Sequence, residues 1–234
     1  MQTNISSSVS TADLNLPLSE LYRCMGYGES TPEAELCELC RELLKRACEV
    51  AKPQYHYTIF ECEVQPPVQV KSIDKSGEAT EFECGKTISG LMRRSTEVAI
   101  FVATAGGEFQ QWSDSEALKG DILQTFIIDS IGSVIAEAVG DYLETVLEKE
   151  LAERGMLHTN RFSPGYCGWN ITEQRKLFGV LPEGVCNITL NDSCLMHPIK
   201  SISGFIGIGE SVITKKYGCS ICGKLDCYIR KTLK

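Results

Sequence analysis

The sequence has no excess of basic residues: Lys and Arg total 23 against 31 Asp and Glu, a formal net charge of −8. A basic face for nucleic acid or for an anionic membrane surface is therefore not expected. No uninterrupted apolar run reaches the roughly 18 residues that span a bilayer. Residues Met1 to Asn15 are polar and Ser/Thr-rich, without the charged and apolar regions of a secretion signal. Export is not expected and a cytoplasmic location is. In that setting the Asn-x-Ser/Thr patterns at Asn4, Asn170, Asn187 and Asn191 are chance matches. Low-complexity tracts are absent too. Cys84-Gly85-Lys86-Thr87 has the end of a phosphate-binding loop, but Thr80 stands where that motif needs glycine. Gly204, Gly207 and Gly209 run in the reverse order of a dinucleotide fingerprint and open no clear helix.

Cysteine is what the chain has in abundance, with twelve in 234 residues. In a reducing compartment these are core residues, metal ligands or redox groups rather than disulfides. Cys24, Cys62, Cys84, Cys167, Cys186 and Cys194 have no ligand spacing and read as small buried hydrophobes. Cys37, Cys40 and Cys48 fall on a helix and read as packing. Cys219, Cys222 and Cys227 differ, forming a C-x2-C-x4-C tail. Three thiols at that spacing fit a Zn knuckle or part of an iron–sulfur site, with the fourth ligand from elsewhere, such as Cys194 or His197. Reactive or resolving thiols, or inert cysteines, are the other readings.

The length fits one large domain or two small ones. Residues 1–14 read as a mobile tail, 15–210 as the folded domain and 211–234 as the cysteine-rich tail. A short helix is expected over Leu18–Met25. Ser30-Thr31-Pro32-Glu33 reads as the cap of a second, whose stripe is Leu36, Leu39, Leu43, Leu44 and Ala47. Strands follow around Tyr57–Val64 and Val68–Val70, with a turn at Ser76-Gly77. Glu97–Ala105 is a continuous apolar run of strand length, hence a central strand buried on both faces. A long helix runs from Leu118 or Asp121 to Arg154, with Ile127, Ile131, Ile135 and Ala138 on its stripe. Ile171–Phe178, with Thr172 as cap, reads as helix. Residues 186–190 and Ser201–Gly209 read as strands.

Two places carry candidate chemistry. Arg161-Phe162-Ser163-Pro164-Gly165-Tyr166 reads as a loop after the long helix. Its arginine offers a planar fork for a carboxylate, and Gly165 lets a ligand or a positive φ approach. An ordinary turn with a surface arginine is the alternative. Glu137 falls among Val134, Ile135, Ala138 and Val139, where a carboxylate is costly unless paired or liganded; the alternative is the solvated edge of the helix.

Four blocks, in order, resemble the reactivation domain of cobalamin-dependent methionine synthase. They are Phe101–Gly107 with its Thr-x-Gly-Gly ending, Ile135–Leu143 with Ala-Glu-Ala, Arg161-x-x-Pro-Gly-Tyr166, and Ser201-Ile-Ser-Gly204-Phe205. The resemblance implies an α+β fold: a single mixed domain with a twisted, mainly antiparallel sheet and long packed helices. It implies S-adenosylmethionine as ligand, used to re-methylate an inactive cob(II)alamin after one-electron reduction. Arg161 would take the methionine carboxylate, Glu137 the ammonium, and Ser163 and Gly165 the adenosine. Tyr166 would sit near the methyl path, with Phe205 and Ile206 bordering the ligand. Cys167 replaces the family's proline after Pro-Gly-Tyr, and Ile206 follows Phe205 where the family has a second aromatic.

Homocysteine, folate and cobalamin modules have no counterpart here, so the expectation is a reactivation subunit of a split methionine synthase, inactive alone. Its partners would be a corrinoid protein, or a methionine synthase lacking this domain, and an electron donor such as a flavodoxin. Neither nucleic acid nor membrane is expected as a partner. Two rivals remain: a corrinoid-protein chaperone or sensor without methyl transfer, and a metal- or thiol-transfer protein built on the C-terminal cysteines.

Overall fold

The computed structural model describes residues 4–65, 69–74 and 76–214. The chain folds as α+β around a seven-stranded sheet in which every pairing is antiparallel. In chain order the strands are β1 (Asn4–Ser8), β2 (Gln54–Gln65), β3 (Gln69–Ile73), β4 (Ala79–Glu83), β5 (Glu97–Thr104), β6 (Leu157–Phe162), β7 (Thr189–Leu190), β8 (Met196–His197) and β9 (Ser201–Gly209). The sheet runs β4-β3-β2-β5-β9-β6, with β1 also on β2, while β7 and β8 form a separate ribbon. The helices are α1 (Leu18–Cys24), α2 (Ala34–Val50), α3 (Gly85–Met92), α4 (Gly107–Ala117), α5 (Ile122–Glu153) and α6 (Gln174–Val180).

Two apolar layers explain the unbroken hydrophobic run of β5. Alternate side chains of a strand point to opposite faces. Ala99, Phe101 and Ala103 join Tyr57, Ile206 and the stripes of α2 and α5 on one side. Val98, Ile100 and Val102 join Phe82, Ile88, Trp169 and Phe205 on the other. A strand covered on both faces has no solvated positions, so the polar half of the alternation disappears.

The junction after β5 is tied by hydroxyls. Thr104 Oγ1 accepts from Gly106 N (3.1 Å) and from Ser201 Oγ (2.8 Å), so the Thr-x-Gly-Gly block and the start of the Ser-x-Ser-Gly strand meet. Gly106 is required there: it sits at φ 98°, and a Cβ would collide with the Lys52 carbonyl.

Helix α5 begins at Asp121, whose side chain accepts from Gln124 N, and closes at Gly155, with Met156 N returned to Leu151 O. By length and composition α5 could cross a membrane. Ile127, Ile131, Ile135, Val139, Leu143 and Leu147 are instead buried against the sheet and α2.

Several expectations are corrected. Residues 4–8, assigned to a mobile tail, pair in register with Gln54–Thr58 as β1. Helix α2 starts at Ala34, at the end of the expected cap segment, with Glu33 at the cap position and no side-chain bond there. Helix α4 was not anticipated, because its sequence is mostly polar and only Phe109 and Trp112 anchor it in the core. The cap near residue 171 is Asn170, not Thr172, and α6 follows a single 3-10 turn. Only Thr189 and Leu190 of the strand expected at 186–190 form one, since Val185–Asn187 is a 3-10 turn. Of the cysteines expected in the core, Cys62, Cys84 and Cys194 are buried, Cys167 and Cys186 half-buried, and Cys24 exposed.

Candidate functional site

The site forms where the edge strand β6 meets the polar face of α5. Arg161 belongs to β6 rather than to the loop beyond it, and lies across from Ile206 of β9. The pairing of β6 with β9 slips between His158 and Arg161, which is a β-bulge. A bulge re-aims the side chains beside it. Here the Thr159 hydroxyl accepts the Gly207 N–H at 2.9 Å, and Arg161 is turned onto α5.

There its guanidinium meets three carboxylates. Nη2 lies 2.7 Å from Asp141 Oδ1 and 3.3 Å from Glu137 Oε2, and Nε lies 3.6 Å from Glu144 Oε2. Nη1 also reaches the Glu137 carbonyl at 3.4 Å. The positions 137, 141 and 144 fall at i, i+4 and i+7, one face of a helix. Close approach depends on Gly140, where a Cβ would overlap the guanidinium. The row of acids extends along α5 in both directions. Asp129 pairs with Lys200 at 2.7 Å, and Glu148 with His158 at 3.2 Å.

Exposure separates the acids. The side chains of Glu137 and Asp141 are 63% and 72% exposed, whereas Glu144 is 23% and Arg161 18%. Loss of water pushes the Glu144 carboxyl above its ordinary range, with Arg161 and His158 pulling it back and Asp141 and Glu148 adding to the rise. Glu137 moves the same way, through desolvation opposed by Arg161. Its exposure leaves solvent to screen much of that effect.

The loop after β6 closes on itself. Gly165 sits at φ 92° and donates to Trp169 O at 2.8 Å, while Tyr166 N donates to Ser163 O at 3.2 Å. Trp169 anchors the loop, fully buried, its ring centroid 4.3 Å from that of Phe205. Gly204 lets β9 pass close to this turn, since a Cβ there would collide with the Phe162 carbonyl and lie 3.0 Å from Ser163 Oγ. Tyr166 is 60% exposed. Cys167 has φ 55°, a value the proline ring cannot adopt.

Arg161 and Glu137 are thus brought together, with Ser163, Gly165 and Tyr166 in the turn that continues β6. Phe205 and Ile206 adjoin them from within the sheet, Ile206 across from Arg161 and Phe205 against Trp169, without reaching its surface. Both are fully buried, on opposite faces of the sheet, in the two apolar layers. Asp141, Glu144, Gly140 and Trp169 were not assigned from sequence; the i, i+4, i+7 spacing of the acids was the available signal. Among the described residues no group of three or more His, Cys, Asp or Glu side chains is arranged to hold a metal ion. Cys219, Cys222 and Cys227 lie outside the described residues.

A guanidinium beside carboxylates at a partly open edge suits a zwitterion, with one fixed partner for each charge. The family model for the activation domain of vitamin B12 dependent methionine synthase matches residues 89–224, more than half of the chain. A solved structure described as "Crystal Structure of the MetH Reactivation Domain bound to AdoHcy" is similar in fold, with TM-score 0.65 and 15% identity over 93% of this chain and 81% of that one. No curated protein matches the sequence.

Proposed function

We propose a function on the premise that this chain belongs to the vitamin B12 dependent methionine synthase activation-domain family. It binds S-adenosylmethionine and presents the methyl group to the corrinoid of a partner, supporting reductive re-methylation. The partner is a corrinoid protein or a methionine synthase without this domain, and the electron comes from a donor such as a flavodoxin. The observation that carries the reading is the meeting of Arg161 and Glu137 at 3.3 Å, beside the Gly165 turn.

Each residue then has a defined task. Arg161 receives the ligand carboxylate on its fork, exchanging a contact now made by a side-chain carboxylate. Glu137 accepts from the ligand ammonium. The backbone of Ser163 and Gly165 lines the nucleoside, and the exposed Tyr166 ring offers a face to the sulfonium. The corrin supplies the reduced cobalt nucleophile when the partner is docked. This chain contributes position, which makes a bimolecular transfer local. No residue has to act as a base.

Calorimetry with S-adenosylmethionine tests this reading. The wild-type chain is expected to bind, and Arg161→Ala to weaken binding by roughly tenfold to a hundredfold, the range for charge-assisted hydrogen bonds. Arg161→Lys keeps the charge but loses the fork, and should fall between them. Absence of wild-type binding, or an Arg161→Ala variant that binds equally well, ends the proposal.

A second reading is favoured by the three carboxylates already on Arg161. In it the chain is a corrinoid-protein chaperone or sensor without methyl transfer. It predicts association with a corrinoid protein and no S-adenosylmethionine binding. A metal- or thiol-transfer role would rest on Cys219, Cys222 and Cys227, holding Zn or an iron–sulfur cluster.

A further inference from the structure

We infer that Glu144, assisted by Asp141, makes this site select for positive charge on the ligand's sulfur, so that a sulfonium is held and the matching thioether let go. The inference rests on the function proposed above and adds a specificity determinant to it.

Formal charges make the case. One guanidinium faces Glu137, Asp141 and Glu144, so the cluster is negative in excess. Among the described residues, the groups around it do not cancel the excess. There Lys200 is matched by Asp129, and beyond Glu144 the next acid, Glu148, has only His158 as partner. A single carboxylate would suffice to hold Arg161 in place, and the cluster supplies three.

The amino-acid end of the ligand is a zwitterion and brings no net charge to this surplus. The methyl donor and its demethylated product share that end. They differ at sulfur, where the donor carries a permanent positive charge and the product none. A site with uncompensated negative charge stabilises the first over the second.

The three acids do not contribute equally. Water screens Asp141 and Glu137, which are mostly exposed, whereas Glu144 is largely covered and keeps a longer reach. Glu144 also touches Arg161 only through Nε, at 3.6 Å, which leaves most of its charge unspent on the guanidinium.

The test measures the dissociation constants of S-adenosylmethionine and S-adenosylhomocysteine for the wild type, Glu144→Gln and Asp141→Asn. Their ratio is the quantity of interest. Any loss of Arg161 positioning weakens both ligands alike, because they share the end that Arg161 holds, and so leaves the ratio unmoved. The contact made by the methyl group itself cancels between variants. Glu144→Gln is expected to lower the preference for the sulfonium by about threefold to tenfold, and Asp141→Asn by less. Raising the salt concentration should shrink the wild-type ratio. Melting curves establish that each variant is folded, and Asp141→Asn carries the test if Glu144→Gln is not. If both ligands bind and the ratio is unchanged in the folded variants, the charge-selection inference is overturned and the binding function stands. If the wild type binds neither ligand, the function falls and the inference with it.

Discussion

At position 140 a methyl group would overlap Arg161 Nη1 and come within 2.7 Å of Ile202 Cδ1. Alanine is otherwise the better helix former by about 1 kcal/mol. Gly140→Ala therefore sets a local gain in helix stability against displacement of the guanidinium. The expected outcome is a melting temperature close to wild type, with affinity for S-adenosylmethionine reduced about tenfold through the lost charge-assisted contacts; calorimetry and thermal melts on one sample measure both. Unchanged affinity would mean that the ligand does not need Arg161 against the helix. The same corner marks the limit of what single residues disclose. Arg161 and Glu137 stand out in the sequence because a charge beside an apolar run or a Pro-Gly turn is conspicuous. Asp141 and Glu144 do not, since acids on a helix are usually solvated. The direction in which Arg161 points depends on a bulge, and a bulge leaves no trace in the alternation of apolar and polar letters.

Among the elements, the β6 loop depends on a residue that chemistry alone does not single out. Trp169 packs at a tilt against Phe205 and meets Phe82 edge-on at 6.3 Å, pinning the turn that contains Ser163, Gly165 and Tyr166 to the second apolar layer. Trp169→Ala should cost about 3–5 kcal/mol of stability, as large aromatic truncations do. Trp169→Phe should cost far less, because among the described residues the indole Nε1 has no hydrogen-bond partner to lose. Urea unfolding of the two variants measures the difference; equal losses would show that the indole N–H is needed after all. Strands β2, β3, β5 and β9, with α1, α2 and α5, are legible from periodicity, since each has an apolar stripe or a bounded apolar run. Helix α3 and strands β4, β6 and β8 are not, nor are helix α4 and strand β1. Helix α4 is held by two aromatics in a polar stretch, and β1 is an exposed strand whose order comes from its neighbour β2. Tertiary contact, not local pattern, makes these elements.

For the molecule as a whole, the raised Glu144 carboxyl couples folding and ligand affinity to pH with opposite signs. Between the ordinary carboxylate range and the raised one, the folded chain holds a proton at Glu144 that the unfolded chain has lost. Stability from this group therefore falls as pH rises through that window and returns on acidification. Affinity for a cationic ligand runs the other way, because protonation removes the charge that attracts it. Relative to wild type, Glu144→Gln is expected to melt higher at pH 7 than at pH 4.5, and to show a flatter dependence of S-adenosylmethionine affinity on pH. A pH-independent difference between the two chains would refute the coupling. At this scale the sequence was most informative through family resemblance, which supplied the α+β architecture. Composition and charge described an ordinary acidic protein.

One helix supplies both the apolar layer and the row of acids. Ile135, Val139 and Leu143 fix the rotation of α5 about its own axis, and the same rotation sets where Glu137, Asp141 and Glu144 stand against β6. Interiors are too densely packed to absorb a change of shape without moving their neighbours. A substitution deep beneath the sheet can thus retune which molecule is retained at the rim, with every rim residue intact.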